Sequence, residues 1–400
     1  MLWLRRIAPV AALGLLLAAL CTSPPEAVRT PLQPPTSAER TPPVTAPESI
    51  PGANPDTAPG TTPATTADSR LLAGRRIVYS YPGPTPPPEL LQAIREGRAA
   101  GVILFGENVT GPDQILAAVA QLREAAAQSP TGAPLLLMTD QEGGKVRRLP
   151  GAPELSARRT GRSAHPVAEA ARSGAGAGRT LADIGLNVNL APVLDVYDTA
   201  DNFIDHHERS YGQDPSTVAE LGASFLTAQQ DLQVAATAKH FPGLGSAARD
   251  QNTDEQPVTL PVPLAELRAR GEEPYRAAIG AGVRLVMASW AVYPALDAAR
   301  PAGLSPVVVQ GELRERLGFQ GVTVTDALEA KALASYGGTG PRALAAADAG
   351  MDLLLCSARD VQQGEEAAAA LAEALDSGRL DRTAFTEALQ RVDELRSGLR

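Results

Sequence analysis

Residues 234–252 read "VAATAKHFPGLGSAARDQN". An apolar run ends in Lys239-His240 and passes into a glycine-rich loop that carries Asp250 and no second histidine. A cation and an imidazole at the tip of a buried strand are hydrogen-bond donors aimed at something outside the strand. Other apolar runs end in the same way. Asp140 closes "PLLLMTD", Asp195 lies at the end of "LNVNLAPVLDV", Ser289-Trp290 close "RLVMASW", and Asp326 closes "GVTVTD". Each could instead cap a helix or satisfy loop amides. His240 could be a satisfied core histidine, and Lys239 could snorkel outward. Several strand tips supplying carboxylates, a lysine, an imidazole and nearby arginines to one rim describe a pocket for a small, hydroxyl-rich molecule.

The elements that would gather these tips are eight short apolar runs, at 76–81, 101–106, 134–140, 186–196, 234–240, 284–290, 321–326 and 351–356. Between them lie alanine-rich stretches of helical spacing. In 112–129, Ile115, Leu116, Val119 and Leu122 are expected on one apolar face. Strands that lack polar alternation are buried on both sides, as in a parallel sheet wrapped by helices. Eight βα units close into a (β/α)8 TIM barrel, an α/β fold in a single domain, and active sites of such barrels sit at the C-terminal ends of the strands. A doubly wound open sheet is the other arrangement considered, but no Gly-x-Gly-x-x-Gly turn follows the first run.

The remainder of the chain bounds the function. Residues 1–21 hold Arg5-Arg6, an apolar stretch and Cys21, the pattern of an export signal. The "LAALC" end resembles a lipoprotein signal, with Leu20 where a small residue is usual, so lipid anchoring through Cys21 and simple cleavage both stay open. Residues 22–69 are dominated by Pro, Thr, Ala and Ser and are expected to form a solvated tether. Residues 70–400 are expected to be the barrel, in a secreted or extracytoplasmic protein. Beyond Cys21 only Cys356 is present, so no disulfide is expected. A net charge of −9 with few basic clusters argues against nucleic acid as a partner. Four histidines without ligand spacing argue against a metal site, and no Ser-centred nucleophile elbow is present. No cofactor is expected.

The motifs "GVILFGEN" (101–108), "TDQEGGKVRRL" (139–149), "ERSYG" (208–212), "AKHFPGLG" (238–245), "GFQGVTVTDAL" (318–328) and "ALAAADAGMDLLL" (343–355) resemble glycoside hydrolase family 3, in order and across the folded part. The chain ends 44 residues after Cys356 (400 minus 356), which resembles the single-domain β-N-acetylhexosaminidase, NagZ-like, branch. The resemblance implies that Asp326 is the catalytic nucleophile of a retaining glycosidase, a role that demands an ionised carboxylate beneath the anomeric carbon. It also implies that Asp140, Arg148, Arg209, Lys239 and His240 bind the sugar.

The pattern breaks in the loop after the fifth run. Where the branch carries Asp-Ser-His, this chain reads "DQN", with Asn252 in place of the acid/base histidine. A carboxamide cannot deliver a proton, a loss of about a hundredfold to ten-thousandfold. Asp250 is the first candidate to replace it. Asp254, Glu255, His206, His207 and Glu208 also stay open. The expected function is hydrolysis of terminal β-linked GlcNAc in cell-wall or chitin-type glycans by a monomer. The alternative is a non-catalytic glycan-binding protein on a degenerate barrel.

Overall fold

The computed structural model describes residues 66–399; the export signal, Cys21 and most of the expected tether lie outside these residues. The folded part begins with a helix at Thr66–Gly74, inside the stretch read as tether. Ser69 on that helix is buried and its hydroxyl donates to Asp376 at 2.5 Å, which ties the segment to the body. No helix among the described residues is long and apolar enough to cross a membrane.

All eight apolar runs contain a strand: β1 (Ile77–Tyr79), β2 (Gly101–Ile103), β3 (Leu136–Thr139), β4 (Val188–Asn189), β5 (Ala235–Phe241), β6 (Leu285–Ala288), β7 (Val322–Thr325) and β8 (Leu354–Leu355). They form one sheet in the order β7-β6-β5-β4-β3-β2-β1-β8, with every neighbouring pair parallel. The two outer strands meet at a single bridge, Val324 to Leu353. The result is a nearly closed eight-stranded parallel barrel with helices between the strands.

Two-residue alternation sorts the strand side chains into layers. Leu136 and Met138, Leu285 and Met287, and Val322 and Val324 share one apolar cluster, as do Val78, Ile103, Val188 and Leu355. Their neighbours Leu137 and Val286 join the two clusters that include the helices. Val392, Leu395 and Leu399, on and just after the last helix (Arg382–Ser397), belong to the first cluster. From that helix Arg396 donates to the carbonyls of Pro134 and Ala133, just before β3. The N-terminal end of the barrel is thereby closed, and the opposite end is left to the loops.

The helices start as their sequences direct. Pro88, Pro112, Pro166 and Pro215 occupy first-turn positions, where the missing N–H is no loss. In the helix Pro112–Ala127, Ile115, Val119 and Leu122 are buried, but Leu116 is 45% exposed. One residue of advance rotates a side chain by 100°, which carries Leu116 off the buried stripe.

Candidate active site

A cavity of about 630 Å³ opens at the C-terminal ends of the strands. Asp140, Arg148, Arg209, Lys239, His240 and Asp326 all line it. Asp250 does not: it is solvent-exposed on the loop after β5, and Asn252 and Asp254 of that loop line the cavity instead. The loop turns between them, for Asn252 Oδ1 accepts the Asp254 N–H at 3.0 Å, and the N–H groups of Glu255 and Gln256 both donate to the Asn252 carbonyl.

Lys239 and His240 are consecutive yet both face the cavity, whereas neighbours in a regular strand point to opposite faces. The ladder between β5 and β6 shifts register between Ala238 and Phe241, and the Lys239–His240 peptide is cis. The glycine-rich loop that follows folds tightly against its neighbours. A Cβ on Gly245 would lie 1.9 Å from the Val196 carbonyl oxygen, so only glycine lets the β4 and β5 loops approach. Gly243 adopts a φ of +126°, which side chains rarely tolerate.

Lys239 does not snorkel. It is 2% exposed and its ammonium lies 2.7 Å from both Asp140 Oδ1 and Glu142 Oε1. Glu142, in turn, receives a bidentate pair from Arg209, at 2.9 Å from Nε and 2.8 Å from Nη2. Burial alone would push the Glu142 carboxyl up, but Arg209 and Lys239 overcome it and hold it well below the usual carboxylate range. Burial likewise opposes the charge on Lys239, and Asp140 with Glu142 more than restores it, so its pKa stands above the ordinary lysine value. Arg148 approaches Asp140 at 3.8 Å, and its Nε is buried without a hydrogen-bond partner.

His240 is oriented from behind. Its Nδ1 lies 2.8 Å from Asp195 Oδ2, and the other oxygen of Asp195 accepts N–H groups of Leu244 at 2.7 Å and His240 at 3.3 Å. Asp195 is fully buried and can only accept, so His240 Nδ1 carries the proton and Nε2 faces Arg209 Nη2 at 3.4 Å. Asp195 is therefore a support beneath the cavity and does not line it.

Asp326 is half-buried one residue beyond β7, and one of its oxygens accepts the Ala327 N–H at 2.8 Å. The adjoining Ala327 carbonyl accepts the indole N–H of Trp290 at 2.8 Å. Ser289 and Trp290 are buried and do not line the cavity, so the end of β6 buttresses the Asp326 turn from behind. Glu329 reaches the rim but is held by Ser357 and Gln363.

Asp254 stands at the solvent edge of the cavity. Loss of hydration first, then the charge of Asp326, pushes its pKa up to about 6, against the opposing pull of His240 and Arg209. Of the cavity acids, Glu142 is not among the candidates that the sequence offers, whereas Asp254 is. Glu142 lies in the quoted "DQEGG" motif but was not singled out; the signal was charge balance, since Lys239 and Arg209 together need more than Asp140. Asp254 was one of several loop acids. Among the described residues no group of three or more His, Cys, Asp and Glu is arranged to hold a metal ion.

The arrangement sets the Asp326 carboxylate in a cavity whose lining holds fixed donors and acceptors, as a sugar site requires. Residues 84–395 match the N-terminal domain of glycosyl hydrolase family 3. An uncharacterized secreted glycosyl hydrolase of Arthroderma benhamiae is 45% identical over 332 residues, covering 83% of this chain and 94% of the relative. A family 3 β-N-acetylglucosaminidase structure from Paenibacillus sp. superposes with a TM-score of 0.77 at 33% identity, covering 82% of this chain and 62% of that one. A β-N-acetylhexosaminidase structure from Beutenbergia cavernae gives a TM-score of 0.75 at 32% identity, covering 84% of this chain and all of that one. A strand-end acid in a polar barrel mouth and a match across most of the described residues lead to one conclusion: the chain belongs to glycosyl hydrolase family 3 and is a glycosidase similar to the β-N-acetylhexosaminidases.

Proposed function

We propose that the protein is a retaining β-N-acetylhexosaminidase that removes terminal β-linked GlcNAc from cell-wall or chitin-type glycans, working as a single (β/α)8 catalytic domain. Asp326 is the nucleophile. Its carboxylate attacks the anomeric carbon, forms a glycosyl-enzyme through an oxocarbenium-like transition state, and is released by water. The observation that carries the reading is the position of Asp326 beside a cavity whose other walls hold Asp140, Arg148, Lys239, Arg209 and His240.

Asp140 accepts from outer hydroxyls and the exposed part of the Arg148 guanidinium donates to one. Lys239 and Glu142 fix the Asp140 carboxylate before the sugar arrives, so little reorganisation is required on binding. The protein works outside the cytoplasm as a monomer, in keeping with its export-like N-terminus and the secreted relative. Attachment through a lipidated Cys21 stays a proposal on residues outside those described.

A glycan-binding protein without turnover is the second reading, favoured by Asn252 where the branch has its histidine. An aryl β-GlcNAc with a good leaving group separates the two, because its first step needs little acid assistance. Release of the phenol that disappears in Asp326→Ala supports the enzyme. Tight sugar binding without release supports the binder.

A further inference from the structure

We infer that Asp254 is the general acid and base of this enzyme, a role that rests on Asp326 acting as the nucleophile. The loop carrying Asp254 is docked on the segment that follows Asp326. The Lys331 N–H donates to the Asp254 carbonyl and the Ala332 N–H to the Thr253 carbonyl, both at 3.1 Å, and Thr253 is buried. Asn252 accepts the Asp254 N–H, so the residue in the histidine's place serves the turn that sets the aspartate. The two acids therefore sit on loops joined to each other, and both line the same cavity.

Glu255 is exposed and does not line the cavity, and the other acids and imidazoles nearby are unsuited. Asp140 and Glu142 are clamped by Lys239 and Arg209. Glu208 is paired with Arg158 and Lys145, is held below the usual range mainly by the Ser156 hydroxyl, and does not line the cavity. His206 faces Asp201 outside the cavity. His207 lines it, but burial and the neighbouring cations lower its pKa and make it a poor reservoir for a proton at neutral pH. Asp254 has no such clamp. Loss of hydration first, then Asp326 and Glu329, favour its protonated form, while His240 and Arg209 oppose them without prevailing.

In the first step the Asp326 carboxylate bonds to C1 and the C1–oxygen bond breaks. The electron pair goes to the leaving oxygen, which takes the proton from the Asp254 carboxylic acid. In the second, water attacks C1 and gives its proton to the Asp254 carboxylate as the bond to Asp326 breaks. Both acids return to their starting states.

The test compares Asp254→Asn with the parent on two aryl β-GlcNAc substrates, a 2,4-dinitrophenyl and a 4-methylphenyl glycoside, with and without azide. The expected loss is about 100- to 10,000-fold on the 4-methylphenyl glycoside and less than about tenfold on the first step with the dinitrophenyl one. Azide should restore turnover and yield the glycosyl azide, because it needs no base to attack C1. On the 4-methylphenyl glycoside, the fall in kcat/KM of the parent above about pH 6 should be missing from the residual activity of the variant. Equal losses on both substrates with no azide effect overturn the inference, as does the same signature in Asp250→Asn or His207→Asn. A parent inactive on both substrates, or an Asp326→Asn variant with the parent rate, overturns the reading beneath it instead.

Discussion

Glu142 and Lys239 illustrate how a pocket can be built from charges that its substrate need not touch. Lys239 bridges Asp140 and Glu142 while Arg209 holds Glu142 from the other side, so each buried charge has a partner of opposite sign. Glu142→Gln leaves those cations short of a partner and should cost about 3–5 kcal/mol. The pH dependence follows from sign. A carboxyl depressed in the folded state lends stability that is present above its ordinary pKa, about 4.3, and is lost as pH falls through the folded value. Urea unfolding of parent and variant should therefore differ most at neutral pH and converge in acid. A gap that stays constant down to pH 3, or no gap at pH 7, contradicts this account. Of the residues around the cavity, those at strand tips could be read in advance because a barrel sends strand ends to one rim. Glu142 could not be read that way, since it reaches the cavity by way of the small hairpin Gln141–Gly143 and Val146–Arg147, and only charge balance with Lys239 and Arg209 pointed to it.

At the scale of elements, the loops after β4 and β5 act as one piece. Asp195 from the first holds His240 at the end of β5 and Leu244 of the second, and the Gly245 carbonyl accepts from Asn202 and Asp198 of the first. Gly245→Ala would set a methyl group against the Val196 carbonyl and force the loops apart. The expected cost is about 1–3 kcal/mol in stability, with a further drop in kcat/KM because His240 loses its alignment. Thermal unfolding and steady-state kinetics check both, and an unchanged kcat/KM would contradict the coupling. The eight strands were legible in the sequence as apolar runs without alternation, though seven form over a shorter core than their run and β5 extends one residue past its own, to Phe241. The choice between Asp250 and Asp254 was not. It depends on an Asn252 turn and on backbone bonds to Lys331 and Ala332, contacts between loops some eighty residues apart that no local pattern encodes.

Over the whole barrel, closure depends on few bonds. The seam between β7 and β8 has one bridge, extended by the Leu355 N–H to the Thr325 hydroxyl and the Leu328 N–H to the Leu355 carbonyl, and it is reinforced by Asp352, whose buried carboxylate accepts the Thr323 N–H at 2.8 Å and pairs with Arg314 at 2.6 Å and Arg391 at 2.9 Å. Arg391 lies on the last helix, so this side chain links the seam to the closed end of the barrel. Asp352→Ala should cost about 3–5 kcal/mol by leaving the two guanidinium groups unpaired. Equilibrium unfolding in urea measures it, and a loss below about 1 kcal/mol would mean that the seam holds without Asp352. The barrel could be inferred from strand count and burial alone. The seam's dependence on Asp352 could not, because nothing in "GMDLLL" distinguishes a structural aspartate from a catalytic one.

The central claim is that the Asp326 carboxylate bonds to the anomeric carbon. The most direct measurement is peptide mass spectrometry of the protein after reaction with a 5-fluoro-GlcNAc fluoride, whose leaving group departs without acid and whose ring fluorine slows release of the adduct. The account predicts one sugar adduct on the peptide containing Asp326, absent in Asp326→Ala. An adduct on another residue, or one that persists in that variant, would contradict it.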